Sequence, residues 1–342
     1  MKKVLVIGGC GFIGSNVAAY HLKQGDEVTV VDNLSRNGTA ANLEFLRSNE
    51  KLDFINIEVR DSLKVLKLFE DHRFDLVYHL AAQVAVTTSV VNPREDLEIN
   101  LLGTFNVLEA MRLTHSKAIL IYTSTNKVYG ELNRFNVVLK NNRYAYQSID
   151  GVNEECQLDF HSPYGCSKGA ADQYVIDYSR IYGLKTIVFR QSCIYGYRQF
   201  GVEDQGWVAW FIIASLFGKD LTIYGDGKQV RDVLFIDDLI DAYVKAADHI
   251  AVTNGQAYNI GGGKFDLSLL ELIGHLEKMM GRQIKLKFAD WRPGDQKVFI
   301  CDIGKAKKDF GWEPKVTPEA GVKRLYEWCR DNKELFKKAG II

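Results

Sequence analysis

The sequence predicts an α/β protein: a Rossmann-type doubly wound parallel sheet followed by a smaller, mixed C-terminal domain. Three observations predict it. A β-branched run, KVLVI (3–7), enters GGCGFIG and a helical stretch, and a second strand, EVTVV (27–31), ends on Asp32. That order is strand, glycine turn, helix, strand. Apolar runs then keep alternating with helical stretches through residue 125, the pattern of a parallel sheet covered on both faces. From about residue 197 the rhythm gives way to short strands and turns.

Taken in order, VAAYHLKQG reads as a helix closing at Gly25, FINIEV (54–59) as a strand, SLKVLKLFEDH as a helix and DLVYHLAA (75–82) as a strand. Residues 95–112 read as a helix and AILIYTST (118–125) as a strand. Residues 131–160 are polar, rich in Asn and Tyr and without clear periodicity, which predicts a long excursion near the carboxyl ends of the strands. A helix follows from Ser162–Pro163 to about Tyr182. KTIVFRQSCIYG (185–196) reads as one strand running into a loop. LTIYGDGKQVRDVLFIDDL and QAYNIGGG read as short strands and turns, and the C-terminal stretch as mainly helical.

A chain of 342 residues, 46% hydrophobic and 25% charged, can bury a sizeable core. Its 43 basic and 43 acidic residues cancel, which argues against nucleic acid or an anionic membrane as the main partner. The six cysteines form no CxxC pair and no Cys/His cluster with zinc-ligand spacing, so no metal is expected and the thiols read as reduced, in the cytoplasm. No apolar run reaches ~18 residues, so no transmembrane helix is expected. The N-terminal run breaks at glycine and reads as a strand, not a secretion signal.

Gly8, Gly11 and Gly14 form GxxGxxG directly after a strand and at the opening of a helix. Such a turn lets a pyrophosphate approach the backbone and the helix N-terminus. Asp32, at the end of the next strand, can accept hydrogen bonds from an adenosine ribose and would repel a 2′-phosphate, favouring NAD over NADP. Arg36 nearby points the other way. Asp61 is placed to meet an adenine amino group or to cap the helix that follows it.

Tyr164 and Lys168, four apart in HSPYGCSKGAAD, share one helix face. A free phenol, with a pKa of ~10, is a poor base at neutral pH. A lysine cation beside it favours the phenolate, giving a group that both accepts and donates a proton in an alcohol–ketone interconversion. Ser124 and Thr125, ending AILIYTST, offer the hydroxyl that completes such a site.

GGCGFIG, Asp32, HLAAQ, STNKVYG and YGCSK together resemble the extended short-chain dehydrogenase/reductases acting on nucleotide sugars, over almost the whole chain. Within that family, DNLSR (32–36), STNKVYG (124–130), QLDFHSPYGCSKGAADQY (157–174), DQGWVAWF (204–211) and GDGKQVRDVL (225–234) are similar to the 2-epimerases of CDP-sugars such as CDP-paratose and CDP-tyvelose. The resemblance implies a tightly bound NAD regenerated each turnover. It also implies a CDP-sugar substrate, either a dideoxy sugar or a plain hexose, and inversion at C2 through a transient 2-keto sugar.

Carried over residue by residue, Thr125, its position shared with Ser124, would hydrogen-bond the reacting hydroxyl. Tyr164 would be the acid/base, and Lys168 would orient the ribose and tune the tyrosine. Gly8, Gly11, Phe12, Ile13, Gly14, Asp32, Asn33, Arg36, Asp61, Ala81, Ala82 and Asn100 would line the cofactor. Arg231 and Arg292, beside turn residues, are the candidates for the diphosphate, with Arg198 a weaker one; ordinary ion pairs are their plain alternative. Gln83, Asn126, Asp204 and Gln205 are the candidate sugar contacts.

The expected division is an NAD-binding domain of residues 1–190, with segments returning near 230–262, and a nucleotide-sugar-binding substrate domain of residues 191–229 and 263–342. The family's 4,6-dehydratases carry an acidic pair after the threonine. Asn126 and Lys127 stand there instead, which argues against dehydration. A 4-epimerase shares the Thr, Tyr and Lys and stays open, as does a non-catalytic NAD-binding sensor or scaffold. Helices near 95–112 and 163–182 would suit a homodimer or homotetramer.

Overall fold

The computed structural model describes residues 1–292 and 295–342. The chain runs β1 (Lys3–Ile7), α1 (Phe12–Lys23), β2 (Glu27–Asp32), α2 (Thr39–Leu46), β3 (Leu52–Asn56), α3 (Ser62–Asp71) and β4 (Leu76–His79). Then come α4 (Val86–Val91), α5 (Pro93–Leu97), a π-helical turn at Glu98–Leu102, α6 (Gly103–Leu113) and β5 (Ile119–Thr125). A 3₁₀ turn (Asn126–Tyr129), a hairpin of β6 (Val137–Lys140) and β7 (Arg143–Tyr146), α7 (Ser162–Tyr182), β8 (Lys185–Gln191) and β9 (Cys193–Tyr195) follow. The remainder is α8 (Trp207–Phe217), β10 (Leu221–Tyr224), β11 (Val230–Phe235), α9 (Ile236–Asp248), α10 (Ile250–Thr253), β12 (Gln256–Ile260), β13 (Asp266–Ser268), α11 (Leu269–Met280), β14 (Leu286–Ala289), β15 (Val298–Phe299), α12 (Gly304–Phe310), α13 (Pro318–Asp331) and α14 (Lys333–Lys338).

Seven strands form one parallel sheet in the order β12-β8-β5-β4-β1-β2-β3. Alternate side chains feed two cores. Val4, Val6, Val28, Val30 and Tyr78 pack on one face; Leu5, Ile7, Val31, Val77, Leu120 and Tyr122 pack on the other. Burial on both faces explains why these strands read as continuous apolar runs. Strand order reverses direction between β1 and β4, and the crevice at such a reversal, beyond the carboxyl ends, is where open α/β sheets bind ligands. A smaller sheet joins β13, β11 and β15, with β9 also on β11, and β10 pairs with β14. The chain's return to the large sheet therefore runs through α9 and β12, while β11 belongs to the small sheet.

Several elements differ from expectation. The excursion 131–160 contains an antiparallel hairpin whose turn, Asn141–Asn142, has φ of 51° and 61°. Positive φ at both central residues is the turn that matches strand twist. The run 185–196 is two strands, one in each sheet. The stretch 54–59 pairs instead over Leu52–Asn56. α8 is apolar all round, so it shows no amphipathic period. α9 follows a buried strand with no glycine or proline between them. Among the described residues no helix is long and apolar enough to cross a membrane.

Candidate active site

A cleft of about 410 Å³ lies over the carboxyl ends of β1, β2 and β4. Gly8 has φ +81°, and a Cβ there would stand 2.5 Å from the Ala81 amide nitrogen. A Cβ on Gly14 would stand 2.2 Å from the Gly8 carbonyl oxygen. Gly11 is less crowded: its Cβ would meet only the Gly8 oxygen, a tight contact at 3.2 Å. Gly11 also caps α1 without any side-chain acceptor, which leaves the first-turn N–H groups free for an anion. A dinucleotide's pyrophosphate fits this cradle.

The Asp32 carboxylate is buried at the cleft edge and accepts from the Cys10 amide at 3.0 Å and the Leu34 amide at 2.8 Å. Burial pushes its pKa up; those donors and the Arg36 charge oppose the rise. The carboxylate is thereby fixed where a ribose would reach it. Phe12, Ile13, Asn33, Arg36, Ala81 and Ala82 all line the cleft. Arg36 donates to Gln205, and Arg198 stacks on Phe45, so Arg198 and Gln205 stand on this wall too. Asp61 caps α3, accepting from the Lys64 amide at 3.1 Å; the wall on that side is Ile57, Glu58 and Val59.

Asn100, in the π-helical turn, is buried behind the wall. It accepts from the Gln83 amide at 2.9 Å and donates to the Gln83 carbonyl at 3.0 Å. Gln83 in turn donates to Asp96 and to the Ala85 carbonyl, and accepts from the Ala85 amide, so its own side chain is fully engaged. Asp96 also accepts from Ser167, one residue before Lys168, at 2.5 Å. This buried knot ties the cofactor-side loop to the helix carrying Tyr164 and Lys168. The sequence reading missed Asp96 and Ser167, because an acid near a helix start and a serine on a helix look like ordinary surface residues.

Tyr164 and Lys168 are both buried, on α7, facing the end of β5. The Lys168 ammonium donates to the Thr123 carbonyl and lies 4.3 Å from the Tyr122 ring centre. Burial pushes its pKa down to about 7, against the Asp172 and Asp96 carboxylates. Burial pushes the Tyr164 phenol up to about 12; the Thr125 hydroxyl and the Arg36 charge pull it back. In the chain by itself the groups that lower the phenol are Thr125 and Arg36 and not Lys168, contrary to the expectation from spacing, and desolvation outweighs both. Thr125 caps the 3₁₀ turn, accepting from the Lys127 amide at 3.3 Å and donating to Asn126. The Ser124 hydroxyl is buried without a partner among the described residues. His79 is buried and hydrogen-bonded to Thr104, its pKa pushed down to about 3, which makes it a neutral structural group.

On the other lobe Arg231 is buried and donates to Asp295 at 2.7 Å and to the Gln296 carbonyl. Arg292 pairs with Asp204 at 2.9 Å and lies over the Tyr224 ring; the turn expected from Pro293 and Gly294 falls outside the described residues. The indole nitrogens of Trp207 and Trp210 are buried without partners among the described residues.

The family model described as GDP-mannose 4,6 dehydratase matches residues 5–325. The chain is 46% identical to the CDP-paratose 2-epimerase of Salmonella typhi over 95% of this chain and 98% of that protein. It is similar to the crystal structure of the Thermotoga maritima UDP-glucose 4-epimerase with UDP-glucose: TM-score 0.85, 33% identity, 97% of this chain and 99% of that one. It is also similar to the Bacillus cereus UDP-glucuronic acid 4-epimerase in complex with UDP-glucuronic acid and NAD: TM-score 0.84, 30% identity, 96% and 99%.

Proposed function

Since the chain belongs to the GDP-mannose 4,6-dehydratase family of extended short-chain dehydrogenase/reductases, we propose that it is an NAD-dependent epimerase inverting C2 of a CDP-sugar. The observation that carries this reading is the end of β5. The Thr125 hydroxyl is within hydrogen-bond reach of Tyr164 and Lys168 bonds the Thr123 carbonyl of the same strand, and Asn126 and Lys127 follow Thr125 where a dehydratase of this family needs an acid. The 2-epimerase relative gives the carbon and the nucleotide.

In this reading the Gly8–Gly14 turn and Asp32 would hold NAD, which would supply the hydride acceptor and donor for inversion at C2. Tyr164 removes the C2 hydroxyl proton and later gives it back, with Thr125 hydrogen-bonded to the same oxygen. Lys168 would hold the nicotinamide ribose. The flat 2-keto sugar turns over while the nucleotide stays anchored by Arg231 and Arg292, each guanidinium fixed by its own carboxylate. Residues 1–190 with the return through β12 form the NAD-binding domain, and the remainder the nucleotide-sugar domain. The enzyme works in the cytosol as a homo-oligomer. Exposed Leu102, Phe105, Leu113, Tyr174, Ile181 and Tyr182 on two neighbouring helices support a paired surface.

The test is proton NMR of CDP-glucose, CDP-paratose and UDP-glucose incubated with purified protein in deuterated water. Inversion at C2 with little deuterium there is expected. Inversion at C4 would move the chain to the 4-epimerases, and deuterium washed into C2 would replace hydride return by proton exchange.

A further inference from the structure

We propose that Lys127 anchors the β-phosphate of the substrate, and that this anchor brings C2 rather than C4 to the Thr125–Tyr164 pair. The proposal rests on the reading of the chain as a CDP-sugar 2-epimerase. The chemistry of the substrate sets the requirement. The phosphate is joined through oxygen to C1, so C2 is the adjacent ring carbon, whereas C4 lies across the ring. When C4 reacts, the diphosphate stays a ring's width from the catalytic hydroxyls. When C2 reacts, it must come close to them, and a cation near Thr125 is then needed.

Lys127 supplies that cation. It lies two residues after Thr125, its own amide held by the Thr125 hydroxyl at 3.3 Å. Its side chain is half-buried, yet its ammonium has no hydrogen bond or ion pair among the described residues. The groups around it are Arg231, Asp295, Cys193 and Glu131, so it reaches from the β5 end toward the substrate lobe. Of the two carboxylates in the cluster, Asp295 pairs with Arg231 and Glu131 lies 3.6 Å from the His161 ring, and neither is in ion-pair contact with the Lys127 ammonium among the described residues. One other group there lacks a partner among the described residues, the side-chain amide oxygen (Oε1) of Gln296, and the Trp207 side chain lies against Cys193. A half-buried ammonium left unpaired is unfavourable. Burial and then the Arg231 charge push its pKa down, against Asp295 and Glu131, and the negative charge of a bound phosphate would offset that lowering.

The experiment titrates the NAD-loaded protein with CDP and with CMP, which lacks the β-phosphate, by calorimetry. Wild type, Lys127→Gln and Lys127→Met are compared. A charge-assisted contact to phosphate predicts that wild type binds CDP more tightly than CMP. It also predicts that each variant loses about 10- to 100-fold in CDP affinity and no more than about 2-fold in CMP affinity. A merely structural lysine would weaken both nucleotides together. A variant that keeps the wild-type preference for CDP overturns the proposal, as does a wild type that binds CMP as tightly as CDP; the latter needs no variant to fold. NMR of wild-type product separates the two claims: inversion at C4 removes the 2-epimerase reading and the role in choosing the carbon, while the CDP–CMP comparison still decides the phosphate contact.

Discussion

Replacing Lys168 with methionine should stabilise the cofactor-free chain near pH 7 and abolish turnover. The Lys168 pKa falls from 10.5 to about 7, mainly through burial. Unfolding returns the amine to its ordinary value. Above pH 10.5 both states are neutral and nothing is lost. As pH falls from there toward 7, the unfolded chain takes up a proton that the folded chain resists, and folding stability drops. The difference between 10.5 and about 7, at ~1.36 kcal/mol per pH unit, sets a ceiling of ~5 kcal/mol on this cost. Methionine forfeits the hydrogen bond to the Thr123 carbonyl and the ammonium contact with Tyr122, each worth ~1 kcal/mol. The net gain at pH 7 is ~2–3 kcal/mol, several degrees in melting temperature. Thermal melts of NAD-stripped wild type and Lys168→Met at pH 7 and 10.5, beside turnover of the NAD-loaded forms, make the test. The variant should melt higher at pH 7, lose that advantage at pH 10.5, and turn over at least ~10²-fold more slowly. A variant that melts lower at pH 7, or an offset equal at both pH values, refutes the reasoning.

Tyr164→Phe should lower kcat by ~10²- to 10⁴-fold while the purified protein keeps its NAD absorbance, since the ring stays and only the proton carrier goes. Gly14→Ala drives a Cβ to 2.2 Å from the Gly8 oxygen and 2.6 Å from the Gly9 Cα; it should cost NAD retention on gel filtration more than Gly11→Ala, whose Cβ meets only the Gly8 oxygen, at 3.2 Å. Asp172→Ala leaves the buried Arg190 fork, held at 2.9 and 3.0 Å, without its carboxylate. A loss of ~3–5 kcal/mol in a urea melt is expected.

The parts of the site legible in the sequence are those set by local geometry. Gly8, Gly11 and Gly14 work through the turn they occupy, and Asp32 through its place at a strand end. Tyr164 and Lys168 share a face because they are four apart on a helix. What sequence could not show is what burial does to them. Spacing predicts a cation that lowers the phenol, yet the fold buries both groups deeply enough to push Tyr164 up and Lys168 down. The Asn141–Asn142 turn was hidden for another reason: Asn supplies positive φ without the glycine that usually marks such hairpins. Likewise α8 hides as a helix because it is buried on every side.

The knot around Asp96 belongs to the same class. Its four members, Gln83, Asp96, Asn100 and Ser167, come from three separate stretches, and no pattern within any stretch announces the others. Yet the proposed reaction would depend on such a knot. The proposed hydride transfer needs the cleft wall at Ala81–Gln83 and the proposed proton carrier, Tyr164 on α7, held in register, and they arrive on different elements. A buried carboxylate with every hydrogen bond satisfied is costly to disturb, so it fixes that register more firmly than an apolar contact of the same area would. The motifs name the groups that react; the spacing between those groups is held by residues that look unremarkable in sequence.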